Sequence, residues 1–182
     1  MDQKQLKEVL AKVKDPKNKK NFKQTIELII NVKGLDLKKA QQDLDFYVTL
    51  HHNRGKLPKI CALIGPELVD EAKKHCDFSI LHDDFPKYQE NKKEVKKLAR
   101  NYGFFIAQAN IMPKVATAFG RVLGPRGRMP NPKAGAVVPP KANLKPVVEK
   151  LHKTVKVTVK GGPFMQLPVG SEDQNEEEVI DN

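Results

Sequence analysis

Hydrophobic spacing divides this chain into segments of different character. Leu6, Val9, Leu10 and Val13 fall at i, i+3, i+4 and i+7, which predicts a short amphipathic helix. It should end near Asp15-Pro16, because the residue before a proline avoids the helical region. A basic stretch follows at Lys17-Asn18-Lys19-Lys20. From Phe22 the period becomes two. Phe22, Ile26, Leu28, Ile30 and Val32 share one parity, interrupted by Gln24. Lys23, Thr25, Glu27, Asn31 and Lys33 share the other, with Ile29 the exception. That pattern predicts a half-buried strand with one polar face. A second such strand sets Phe46, Val48 and Leu50 against Asp45, Tyr47, Thr49 and His51.

The pattern then changes. Ile60 to Ile64 is continuously apolar, as in a strand buried on both faces. Gly65-Pro66 turns into a helix over Glu67 to His75, and Phe78-Ser79-Ile80 is a candidate strand. A very basic helix, about Asn91 to Asn101, leads to the apolar run Phe104 to Ala107. Helices follow at Met112 to Phe119 and Asn143 to His152. Strands alternating with helices predict a parallel sheet in an α/β layer. One-sided strands then return. Val155, Val157 and Val159 face one way, Gly161-Gly162-Pro163 turns, and Met165, Leu167 and Val169 continue as an edge-like strand. The economical reading is an α/β fold in two parts. A discontinuous α+β domain with an antiparallel sheet (residues 1–58 and 153–182) is split by an inserted α/β domain (59–152). The crossings near Leu57-Pro58 and His152 would form a hinge.

Charge sharpens this picture. The net charge is +11, and the imbalance is larger than that locally. Residues 171–182 hold six acids and no base, which leaves 33 basic against 16 acidic residues over 1–170. Such a field draws phosphate backbones, with membrane surfaces and acidic proteins as competitors. In the acidic end, Asn175 is placed to cap a helix whose first turn is Glu176 to Glu178, but the helix is too short to stand alone. Cys61 and Cys76 imply no disulfide framework. The N-terminus lacks an apolar signal region and no run approaches transmembrane length, so the expected setting is soluble, reducing and cytoplasmic, without a membrane.

Enzyme signals are poor. The turn after Ile64 reads GPELVD and lacks the glycines of a dinucleotide loop. Gly124-Pro125-Arg126-Gly127 lacks the Lys-Ser/Thr ending of a P-loop. Asp83-Asp84 suits a solvated turn, and the five histidines show no metal-ligand spacing with the cysteines, so neither metal nor cofactor is expected. Nucleic-acid signals are better. Lys23, Thr25 and Glu27 offer a cation for phosphate and groups for 2′-hydroxyls or base edges. Lys20 precedes them, and Arg54, Gly55 and Lys56 form a basic turn beside the expected hinge. Leu123 to Lys133, LGPRGRMPNPK, is a loop shaped by three prolines and two glycines that carries Arg126, Arg128 and Lys133. It suits a polyanion partner or, more plainly, a stiff connector. The lysines of the basic helix read as a solvated face. A nucleotide-binding α/β protein or enzyme is the alternative, and a bare protein–protein module a third.

These motifs resemble a known family. LGPRGRMPNPK is similar to the signature loop of the large-subunit ribosomal stalk protein L-one family in its archaeal form. NFKQTIELIINVKGLDLKK resembles that family's first strand, while Phe104 to Ala109 and Met112-Pro113 resemble its middle domain. The resemblance implies a first domain split by a Rossmann-like insertion. It implies a monomer within the cytoplasmic ribosome that binds large-subunit ribosomal RNA. It further implies a mobile stalk that helps deacylated tRNA leave, and repression of the protein's own mRNA. Phe22, Thr25 and Glu27 match the family's RNA-contacting positions, and His52, Gly55 and Lys56 match its loop after the second strand. His51 and Asn53 stand where the family usually has Pro and Gly. The family also continues past residue 182 with a long helix and a final strand ending in a Ser/Thr-Met-Gly turn that adds RNA contacts.

Overall fold

A computed structural model describes residues 3–15, 17, 19–33, 45–159 and 163–182. The expected turn at Gly161-Gly162, and the helix-ending Pro16, lie outside the described residues. The chain divides into two compact units, Met1–Leu57 with His152–Asn182 (unit 1) and Pro58–Leu151 (unit 2).

In unit 2, a four-stranded parallel sheet is built from β3 (Ile60–Ile64), β4 (Phe78–Leu81), β5 (Phe104–Gln108) and β6 (Val137–Val138), in the order β4-β3-β5-β6. Every residue of β3 is buried, as its unbroken apolar run requires. Cys61, Leu63, Phe105 and Ala107 point to one side, where α3 (Phe85–Glu90), α4 (Lys92–Asn101) and α5 (Met112–Leu123) close the core with Phe85, Val95, Ala99, Val115, Phe119 and Leu123. Phe85 meets Phe119 edge to face at 5.2 Å between centroids. The crossover from β3 to β4 runs opposite in direction to the others, so right-handed connections put α2 (Val69–His75) on the other face. The helix α6 (Leu144–Lys153), with Leu144, Val148 and Leu151 buried at i, i+4 and i+7, carries the chain into unit 1.

In unit 1 the described residues comprise α1 (Gln3–Val13) and two antiparallel pairs. The strand β1 (Thr25–Asn31) pairs with β8 (Phe164–Ser171), and β2 (Asp45–Thr49) pairs with β7 (Thr154–Thr158). A final helix, α7 (Glu176–Asp181), packs on α1. It forms despite its length because Val179 is buried by that packing, although the Asn175 side chain makes no cap bond.

Several expectations are corrected. Phe22, placed by parity on a buried face, precedes β1 and is 68% exposed. Leu28, Ile30, Phe46 and Val48 are also exposed, although Val157 and Val155, the partners of Phe46 and Val48 across the β2–β7 pair, are buried. Thr154, assigned the polar parity, is buried where α6 runs into β7. The expected solvated turn at Asp83-Asp84 is present, as a 3-10 turn that opens directly into α3.

Candidate nucleic-acid interface

The expected strand-face residues sit at one end of the β1–β8 pair. Thr25 lies opposite Ser171 and Glu27 opposite Pro168, with a register shift between Ile26 and Glu27. The shift leaves Val169 unopposed, and such a bulge re-aims side chains. Thr25 and Glu27 are exposed, and Glu27 accepts a hydrogen bond from Gln166 Nε2 across the pair. Lys20 and Phe22 are exposed just before the strand. Lys23 is held by Asp173, with Nζ 2.9 Å from Oδ2.

The turn containing Arg54, Gly55 and Lys56 reaches the same end. Gly55 has φ +85° and packs directly on Ser171, where an added Cβ would lie 2.5 Å from Ser171 Cβ. Only glycine fits both that conformation and that approach. Gln174 ties the arrangement together. Its Nε2 donates to Asn53 O at 2.6 Å, its Oε1 accepts from Ser171 N–H at 2.9 Å, and its carbonyl accepts from Lys14 Nζ at 2.8 Å. His51 Nδ1 and His52 Nε2 both meet Asp181 Oδ2, at 3.0 and 3.1 Å. The His52 N–H donates to Asn182 Oδ1 at 2.8 Å. Arg54 is half-buried, and burial pulls its guanidinium below the ordinary arginine value. Among the described residues it has no hydrogen-bond or ion-pair partner. A desolvated, unpaired guanidinium favours an incoming anion such as phosphate.

This geometry meets an independent finding. The profile of the ribosomal protein L1p/L10e family matches residues 10–182. The chain belongs to that family. Large ribosomal subunit protein uL1 of Thermococcus kodakarensis is 38% identical over all of this chain and 82% of its own length. The protein of the same name from Methanothermobacter thermautotrophicus is 39% identical over 99% of this chain and 83% of its own length. That from Nanoarchaeum equitans is 41% identical over 90% of this chain and 77% of its own length. L1p/L10e proteins are structural components of ribosomes, not enzymes.

For this L1p/L10e chain, the structure gathers Lys23, Thr25, Glu27, Arg54 and Gly55 around Ser171, with His52 tied to α7 nearby. Arg126, Arg128 and Lys133 belong to unit 2. Arg126 and Arg128 donate to backbone carbonyls of Lys96, Ala99 and Tyr102, while Lys133 is exposed. Sequence reasoning missed Asp173, Gln174, Asp181 and Asn182. Their only signal is the local surplus of acid in a basic chain. No group of His, Cys, Asp or Glu among the described residues is arranged to hold a metal ion, and no helix there is long and apolar enough to cross a membrane.

Proposed function

We propose that this protein is a constituent of the large subunit of the cytoplasmic ribosome. It binds large-subunit ribosomal RNA through the end of the β1–β8 pair and the turn at Arg54 to Lys56. The observation that carries this reading is the meeting of Thr25, Glu27 and that turn at Ser171, beside Arg54, which has no partner among the described residues. Lys20, Lys23 and Lys56 meet phosphates, Phe22 offers an exposed ring for stacking, and Thr25, Glu27 and His52 take 2′-hydroxyls or base edges. In this reading unit 1 is the RNA-binding domain, and unit 2 moves about the crossings at Leu57-Pro58 and Leu151-His152. The protein then forms the mobile stalk, assists release of deacylated tRNA, and represses its own mRNA by binding a similar structure there.

Filter binding to the stalk ribosomal RNA tests the site. Thr25→Val and Glu27→Gln should each weaken binding by about 1–3 kcal/mol. Unchanged affinity in both would remove the strand face from the interface. Binding should also weaken steeply with salt.

The nucleotide-binding alternative would use the crevice where the strand order of unit 2 reverses, between the ends of β3 and β5. Gln108 fills that place. It is fully buried, accepts from Gly65 N–H at 2.9 Å and donates to Glu67 Oε2 at 2.6 Å. The backbone donor that a phosphate would need is already engaged. Thermal stabilisation by a nucleotide, with none by stalk RNA, would reverse this choice.

A further inference from the structure

The lysines of α4 read from the sequence as a solvated face, but the loop after α5 changes that reading. Lys92, Lys93, Lys96, Lys97 and Arg100 fall within an arc of about 140° at 3.6 residues per turn. Leu98, opposite the centre of that arc, packs on the core, and Val95 and Ala99 are buried between it and the edge of the arc at Lys92. All five cations are exposed, and among the described residues none pairs with a carboxylate. The loop then adds charge at the C-terminal end of this helix. Arg126 donates to Lys96 O at 3.2 Å, and Arg128 donates to the carbonyls of Ala99 and Tyr102. Gly127, at φ +62°, makes the turn between them, closed by Arg128 N–H to Leu123 O at 3.0 Å. The two guanidiniums are close enough that Arg126 helps to push Arg128 below its ordinary value, after burial. Like charges brought together without an acid are unfavourable alone and become favourable opposite a polyanion.

We propose that unit 2 carries a second RNA-binding surface, in which α4 and Arg126 grip the phosphate backbone of a helical RNA without reading its sequence. The five cations span about 12 Å of helix axis. A duplex strand places a phosphate roughly every 3.4 Å, so the face meets about three to four of them. Arg126 uses one of its five N–H donors on Lys96 O and keeps the rest of the fork for phosphate. The apolar side of α4 is committed to the core, so it cannot insert into a lipid surface as an interfacial helix does. Tyr102, the aromatic at its end, is stacked on Phe78 at 5.9 Å, which leaves no free ring for base stacking or for anchoring an acidic protein.

The test uses the full chain and a duplex RNA of unrelated sequence. Lys93→Gln, Lys96→Gln and Lys97→Gln are combined, with and without Arg126→Gln. The salt slope of log affinity should become shallower by about 0.9 for each cation removed. Lys→Arg at the three lysines should restore it, and melting should not move because these side chains are exposed. Thr25→Val with Glu27→Gln should leave this slope alone while weakening stalk RNA, so that failure of either surface is seen separately. An unchanged slope in the charge-removed, folded protein overturns the proposal. So does loss of binding to phosphatidylserine vesicles or polyglutamate with duplex binding intact.

Discussion

Strands β3 and β1 contain similar apolar residues and meet opposite fates. All five residues of ICALI in β3 are buried, whereas in TIELIIN of β1 only Ile26 is even half-buried. The difference lies in their neighbours. Strand β3 has a parallel partner on each edge and helices on both faces, while among the described residues β1 pairs with β8 alone. Apolar composition sets how much could be gained by burial, and closure decides whether it is gained. Unit 2 is therefore held by its core. The functional end of unit 1 is held by long-range polar ties, such as Gln174 to Asn53 and Asn182 to His52. The sharpest way to break this contrast is to truncate one apolar side chain in each unit. Phe119→Ala, which empties a fully buried site against Phe85 and Tyr88, should destabilise unit 2 by about 3–5 kcal/mol. Leu28→Ala, at an exposed site, should stay below about 1 kcal/mol. Both cysteines lie in unit 2 and Cys61 is fully buried, so alkylation of Cys61 reports the opening of that unit alone. Equal losses from the two variants would mean that unit 1 has a closed core after all.

A smaller effect probes the polar ties directly. Gly55→Ala forces a side chain into a positive-φ position and against Ser171. It should lower the stability of unit 1 by about 1–3 kcal/mol. It should also weaken stalk RNA binding, because the turn carrying Arg54 and Lys56 must withdraw from the end of β1. Cys61 alkylation should not change. If the variant keeps full affinity, the packing of that turn on Ser171 does not position the site.

The same contrast explains what could be read in the sequence. Strands β3 and β5 are short continuous apolar runs, and two-sided burial leaves that mark directly. The helix α5 runs past Phe119 to Leu123 because Val115, Phe119 and Leu123 continue one buried stripe. The helix α3 was hidden by Pro86, which ends a helix in most positions but is suited to the first turn, where it stands here. Two-residue β6 is too short to show a period. In unit 1, alternation located β1, β2, β7 and β8 but could not say whether their apolar sides are covered. The exposed candidates Lys23, Thr25 and Glu27 were legible because polar parity marks an exposed face. Asp173, Asp181 and Asn182 were not, because their partners stand well over a hundred residues away and local period carries no such pairing.

The smallest expected stability change carries the most information about the site. Asp173 holds Lys23, and both side chains are more than half exposed, so Asp173→Asn should alter stability by no more than about 1 kcal/mol. Its effect on RNA has the opposite sign from that of a lost contact. The acid neutralises a cation that phosphate would otherwise meet, and it adds a negative charge that repels the backbone. Removing it should raise affinity for stalk RNA a few-fold at low salt and steepen the salt dependence, with the gain fading as salt screens both terms. Lys23→Gln should abolish that gain in the double variant, since the two residues act through one charge. A fall in affinity on Asp173→Asn would show instead that the acidic end orients Lys23 for the RNA, and that the interface extends onto residues 172–182 themselves.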